Sequence, residues 1–403
     1  DAQLTTFISA LILYIFGTGS VKGFATMLIV STITTLLLIV FIVRFLLGLL
    51  VNSGYLDERY ELFGVKKSDV PDVSKGEERR KFTKFKGFDF VGKAKYFICT
   101  SLAILAISIV CMGVNGFSGN GVMNLGIDFT SGTTLTIQSD AAIDQDTLES
   151  QLEELGLDPS SVKINGSESN IASVYLKDAV DADTMSTVKA SLQETYGHEV
   201  TDNTVTPVIG QELVRNAVII SVLAWIGILI YMSVRFKWDY ALSAIVALIH
   251  DVLIILAFCA IFRLEINTEI VAVLLTIIGY SVNNSIVVFD RIRDRVRAHR
   301  GRIAKEEYRE LVNEAIQATC TRSVFSTLTT MLPVIFLLFM GSGAIFVFNL
   351  TLLIGLIAGA GSSLFIAAQL WYHLRLREKP KKVKKVKRSK KELDEMIVPG
   401  VND

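Results

Sequence analysis

The sequence predicts a polytopic α-helical membrane protein, of about eight spans, with one small α+β external domain. Three observations carry that prediction. Hydrophobic residues make up 51% of the 403 positions, the mean hydropathy is +0.47, and the apolar residues gather into charge-free runs long enough to cross a ~30 Å hydrocarbon core as helices. The 40 basic and 40 acidic residues cancel in number but are segregated along the chain, which is how loops are sorted between the two sides of a membrane. One block, 116–207, is polar, strongly acidic and patterned as alternating strands and helices.

The apolar spans fall at about 4–18, 22–50, 96–114, 215–234, 239–262, 268–289, 323–341 and 344–374. The first is short, and Gly17-Thr18-Gly19-Ser20 turns it into the second. Residues 56–95 form a basic linker and 375–403 a basic tail, so both are expected inside, with 290–322. The tail reads as a solvated charge run or as a segment drawn to anionic lipid. It has no aromatic interleaving, and no nucleic-acid partner is expected. The chain opens on Asp1-Ala2-Gln3-Leu4 and reads as a fragment or processed chain. Its cysteines, Cys99, Cys111, Cys259 and Cys320, all lie outside the polar block, so no disulfide framework is expected.

The block 116–207 carries fifteen acidic residues against Lys163, Lys177 and Lys189 and is expected outside. Strands are read at 133–138, 162–164, 173–176 and 204–206, with a turn at Asn165-Gly166. Helices are read at 146–155 and 183–196, each closed by a glycine. The order β-α-β-β-α-β predicts a ferredoxin-like split βαβ domain. One histidine and no cysteine leave it without material for metal or nucleophile chemistry, and no cofactor or metal is expected.

Chemistry concentrates in the membrane part. From Ile270 to Phe289 the chain has no charge, yet Gly279, Ser281, Asn283, Asn284 and Ser285 interrupt it. Polar groups at that depth are costly without partners. They serve either as helix–helix glue or in an ion pathway. The span ends in a charged collar that begins Asp290-Arg291. His250-Asp251 stands mid-span in 239–262, as a hydrogen-bonded structural carboxylate or a titrating one. Tyr308, Leu311, Val312, Ala315 and Ile316 form an apolar stripe near 303–318 opposite Glu306, Glu307, Arg309, Glu310 and Glu314, which predicts an amphipathic helix on the inner membrane surface. Arg322 opens the next span, where an arginine commonly snorkels to headgroups. In the last span Gly355, Gly359, Gly361, Ser362 and Ser363 permit close helix contact.

Several of these stretches resemble the SecD/SecF family of bacterial protein-export membrane subunits, within the resistance-nodulation-division superfamily. The run from Gly279 to Arg293 is similar to the SecF signature, with Asn284 where the family usually has aspartate. Gly126-Ile127-Asp128-Phe129-Thr130-Ser131-Gly132-Thr133 resembles the motif Gly-Ile-Asp-Phe-Thr-Gly-Gly-Thr, with Ser131 in place of a glycine. Pro207-Val208-Ile209-Gly210-Gln211-Glu212-Leu213 resembles the family's exit motif, and Phe16 to Ala25 the end of SecD.

The resemblance implies that 1–55 is the end of a SecD half, 96–115 the first SecF-like helix, and 208–374 five more. It implies a non-enzymatic accessory of late-stage preprotein export in the bacterial cytoplasmic membrane, driven by the ion-motive force. The implied partners are the SecYEG channel, SecA, YajC-like subunits, the missing SecD portion, the exported polypeptide and lipid. It also implies a functional arginine at Arg322, so the candidate ion pathway is Asn284, Arg322, Asp251, His250 and Asn283. The candidate junction motif is Gly126, Asp128, Phe129, Gly132 and Thr133. Two other classes stay open: a non-conducting scaffold of the translocon, and a small-molecule transporter on the same scaffold. Such transporters normally carry larger, paired external domains.

Overall fold

A computed structural model describes residues 2–17, 19–56, 59, 62, 85, 87–119, 121–165, 170–299, 303–341 and 345–377. Most of the predicted linker, the Gly166 turn and nearly all of the basic tail lie outside the described residues. Helix α1 (Ala2–Phe16) leads to α2 (Gly19–Leu37), which runs through a π-helical turn (Leu38–Val43) into α3 (Arg44–Asn52). Next come α4 (Phe90–Phe117) and the short α5 (Ile127–Thr130). The small α+β domain, the one expected outside, follows as β1 (Gly132–Gln138), α6 (Gln145–Glu154), β2 (Pro159–Asn165), β3 (Ile171–Leu176), α7 (Ala182–Tyr196) and β4 (Thr201–Val205). The membrane part resumes with α8 (Pro207–Arg235), α9 (Trp238–Ile261), α10 (Thr268–Ala298) and α11 (Lys305–Met340). It ends with α12 (Phe346–Ser362), a π-helical segment (Ser363–Ala367) and α13 (Ala368–Arg377).

Among the described residues, seven helices are long and apolar enough to cross a membrane, and the apolar helix at the N-terminus is shorter. At 1.5 Å per residue the 15 residues of α1 reach only about 22 Å. The helix packs into the bundle: Thr5, Ala10 and Leu13 are fully buried, and Thr6 lies against Gly279 of α10.

Two helices run further than hydropathy suggests. Helix α4 begins at Phe90, capped by Asp89, whose side chain accepts from Gly92 N–H. Its start is tied to α11, where Asn313 Oδ1 accepts from Phe90 N–H at 2.8 Å and Gln317 Nε2 donates to Phe88 C=O at 3.0 Å. Helix α11 is continuous through the expected boundary between surface helix and span. Its apolar stripe is not laid on the membrane surface. Val312, Ala315 and Ile316 are fully buried in the protein core, and the Tyr308 ring meets Trp371 at 6.5 Å. Packing on protein removes the stripe from water as effectively as lipid does, and it lets one helix continue without a break.

The external sheet has the order β2-β3-β1-β4, with every neighbouring pair antiparallel. β3 sits between β1 and β2, as a split βαβ requires. Alternation puts Leu135, Ile137, Val174 and Leu176 on the face packed against Leu148, Leu152, Val188 and Leu192 of α6 and α7. Asp144 and Asp181 cap those helices through Thr147 N–H and Thr184 N–H.

The strand entry is strained. Gly132 has φ +132°, and a Cβ there would stand 2.4 Å from Leu176 O. Ser131 has φ 66° and ψ 165°, a region nearly reserved for glycine, at a cost of about 1–3 kcal/mol. Ser131→Gly relieves that strain but adds freedom to the unfolded chain. The expected net effect is stabilisation of the external domain by about 1 kcal/mol, read as a higher midpoint in thermal unfolding of the solubilised protein. An unchanged or lower midpoint contradicts it.

Candidate functional site

Three helices converge on one carboxylate in the middle of the membrane part. Asp251, on α9, is 1% exposed. Its Oδ2 accepts from Ser281 Oγ of α10 at 2.5 Å and from Ser362 Oγ of α12 at 2.8 Å. Its Oδ1 lies 3.0 Å from Nδ1 of the adjacent His250. The approach is made by small residues. A Cβ on Gly359 would stand 3.1 Å from Ser281 Cβ and 3.6 Å from Asp251 Oδ2, and one on Gly355 would stand 2.5 Å from Ile277 Cγ1. A buried carboxylate needs hydrogen-bond donors, and the close contact of α10 and α12 brings them. His250 Nε2 is buried without a partner, and the His250 ring lies 6.0 Å from that of Phe97.

A second polar seam joins α10 to α11. Tyr280 Oη donates to Thr327 Oγ1 at 2.8 Å, and nearer the inner end Arg295 pairs with Glu314. That antiparallel register sets Asn284, one turn inward of Tyr280, alongside Ser323, one turn inward of Thr327. Asn284 is 3% exposed and Ser323 2%, and Asn284 Nδ2 and Ser323 Oγ are both buried without a partner. Unpaired polar atoms in such a place are where internal water is usually held.

The structure therefore brings together His250, Asp251, Ser281 and Ser362, with Asn284 one turn further in on the same helix. Asn283 is only partly buried. Arg322 is not brought to the centre. It is exposed, because successive helical residues turn by about 100° and its neighbour Ser323 faces the core. Arg322, Ser326, Thr329 and Thr330 share the exposed side of α11. Of the collar, Asp290 pairs with Arg293 and Arg291 is exposed.

Some features escaped the reading of residues. Ser362 reads as a packing residue, and its link to Asp251 spans 111 positions. Asp239, 4% exposed, accepts from Trp371 Nε1 at 3.1 Å and lies 3.6 Å from Arg375. A carboxylate in the first turn of a helix reads as an ordinary N-terminal charge, and nothing local marks its partners. Among the described residues, no group of three His, Cys, Asp or Glu could hold a metal ion.

Comparison with known proteins agrees with this architecture. Residues 187–377 match the family of protein export membrane protein SecD/SecF, C-terminal, and residues 119–143 match the SecD/SecF GG motif. Protein translocase subunit SecDF of Bacillus subtilis is 41% identical over 379 residues, 94% of this chain and 50% of that protein. Protein translocase subunit SecF of Sebaldella termitidis is 34% identical over 307 residues, 75% of this chain and 96% of that protein. The crystal structure of SecDF, a translocon-associated membrane protein from Thermus thermophilus, superposes with a TM-score of 0.72 at 31% identity, covering 94% of this chain and 48% of that one. The chain spans about half the length of the SecDF relatives it matches.

Proposed function

We propose that this chain, which belongs to the SecD/SecF family of protein-export membrane proteins, assists late-stage export of preproteins across the bacterial cytoplasmic membrane by coupling ion flow to movement of its external domain. No covalent bond is made or broken in this reading. The observation that carries it is the Asp251 centre. A carboxylate sealed among three helices has a reason to be there if it takes up and releases a proton, because ionisable groups inside a membrane mark ion paths and proton relays. Asn284 cannot titrate. It offers one amide to a hydrogen-bonded chain, and proton carriage falls to Asp251 with His250 beside it. The exposed polar side of α11, headed by Arg322, is then the surface that the part of SecDF absent from this chain covers, since charge does not face lipid cheaply. Association with a protein-conducting channel and handling of the emerging polypeptide by the external domain complete the proposal.

One observation favours a second reading, a non-conducting scaffold. Asp251 already has three hydrogen-bonding neighbours, as a structural carboxylate would. Export and proton flux in vesicles bearing the full-length protein separate the two readings. In the coupling reading a proton gradient accelerates export, Asn284→Ala is mild, and Asn284→Asp is tolerated or raises proton dependence. Gradient-independent export favours the scaffold. Loss of ion-driven export in an assembled Asn284→Ala variant places Asn284 in the path and removes the assignment to Asp251.

A further inference from the structure

The entry motif Gly126–Thr133 takes no part in the intramembrane centre, and its contacts lead to the outer end of the helix that does. Asp128 Oδ2 accepts from Thr268 N–H at 2.9 Å and from Thr268 Oγ1 at 2.7 Å. Thr268 is the first residue of α10. First-turn N–H groups have no partner within their own helix. Here one is satisfied by Asn267, whose Oδ1 accepts from Ile270 N–H at 3.3 Å, and another by a carboxylate 140 positions earlier in the chain.

The rest of the motif is stitched to the same place. Gly126 N–H donates to Ile266 C=O at 2.8 Å, and Ile266 N–H donates to Asn124 C=O at 2.8 Å. Asn124 Nδ2 donates to Arg263 C=O at 2.9 Å, and Arg263 Nη1 donates to Gly121 C=O at 2.9 Å. Glu265 hydrogen-bonds Tyr175 of β3. Among the described residues, the two non-glycine positions with positive φ are Ser131 at 66° and Arg263 at 53°. They flank this stitch, and both line one cleft of about 440 Å³ between sheet and loop. Strain of this kind persists only where the surroundings over-determine it, and it gathers at clamps and switches.

We propose that the Asp128–Thr268 cap is the mechanical link through which α10 and the external domain move together, making Asp128 and Thr268 positioning residues for coupling. α10 carries Ser281 thirteen residues beyond Thr268, about 20 Å along a rigid helix. A shift of α10 that follows a change at Asp251 arrives at Thr268, crosses to Asp128, and enters β1 through Ser131 and Gly132. The inference rests on the export reading, and its test has an arm that does not.

The test uses the full-length protein in proteoliposomes, with Cys99 and Cys111 replaced by serine. Spin labels stand at Ser150→Cys on the external domain and Arg297→Cys at the inner end of α10. Asp128→Ala and Thr268→Val are each expected to broaden the label-to-label distance distribution. Each is expected to lower gradient-driven export about tenfold, the scale of losing one charge-assisted hydrogen bond, at unchanged abundance. Leu125 and Ile266 are paired across the stitch, so a disulfide between Leu125→Cys and Ile266→Cys should restore both readouts in Asp128→Ala and lose that rescue on reduction. Distance distributions as narrow as wild type in both variants, or a formed disulfide without recovery of either readout, overturn the link. Gradient-independent export by the wild type removes the ion-coupling reading, and the distance arm alone then decides the link.

Discussion

Asp251→Asn is expected to stop gradient-driven export while leaving the protein in the membrane at normal abundance. The amide keeps the volume of the carboxyl group and can still accept from a serine hydroxyl, so the junction of α9, α10 and α12 remains packed. It cannot take up a proton, and it presents an N–H₂ group where His250 or a serine now meets an oxygen. Asp251→Leu goes further. It leaves the fully buried Ser281 without the carboxylate that accepts from it and Ser362 with only Gly359 C=O, at 3.3 Å, and an unsatisfied buried polar group costs about 1–3 kcal/mol. Abundance and thermal stability should fall for the leucine variant and hold for the asparagine variant, with export lost in both. Normal export by Asp251→Asn at normal abundance would make the carboxylate structural.

Gly355→Leu should cause the largest loss of assembly. The first added carbon already meets Ile277 Cγ1 at 2.5 Å and Ile255 Cδ1 at 2.9 Å. Those are branched, stiff side chains on two different helices, and neither can swing away alone. Overpacking of this kind costs about 1–3 kcal/mol or more, and in a membrane it also removes the close contact that holds helices together. Gly361→Ala is the control. Its Cβ would meet the tip of the Phe97 ring at 2.5 Å, and a ring tip can turn aside. Detergent-solubilised Gly355→Leu should melt well below wild type, with Gly361→Ala close to it. The reverse order would show that Phe97, not the α12 glycine contact, holds this junction.

The parts of this chain that could be read from its residues are those whose cause is local. A charge-free run of 20 residues reports its own burial in lipid. Alternation through Leu135 and Ile137 reports a one-sided sheet. Asp251 announces itself because a carboxylate among apolar neighbours needs partners somewhere. The partners are another matter. Ser281 and Ser362 are 30 and 111 positions from Asp251, and a serine beside glycines reads as packing whichever way it points. Arg322 shows the same limit from the other side, because one residue of rotation decides whether a charge faces a bundle or leaves it. The sequence divides α11 in two because its composition changes at Arg322, whereas backbone hydrogen bonding is indifferent to that change. Ser131 stands out as a departure from a glycine, but a serine does not by itself announce a positive φ.

The long span of the Asp128–Thr268 contact also bears on biogenesis. Chains are made from the N-terminus, and domains tend to fold in that order. When α9 and α10 leave the ribosome, the external domain and its entry motif have already been made. The acceptor for Thr268 N–H is therefore made before α10, and the start of α10 is completed only once residues 124–128 lie beside it. Without that contact α10 keeps the Asn267 cap on Ile270 N–H, but its first N–H, on Thr268, loses the carboxylate that accepts from it.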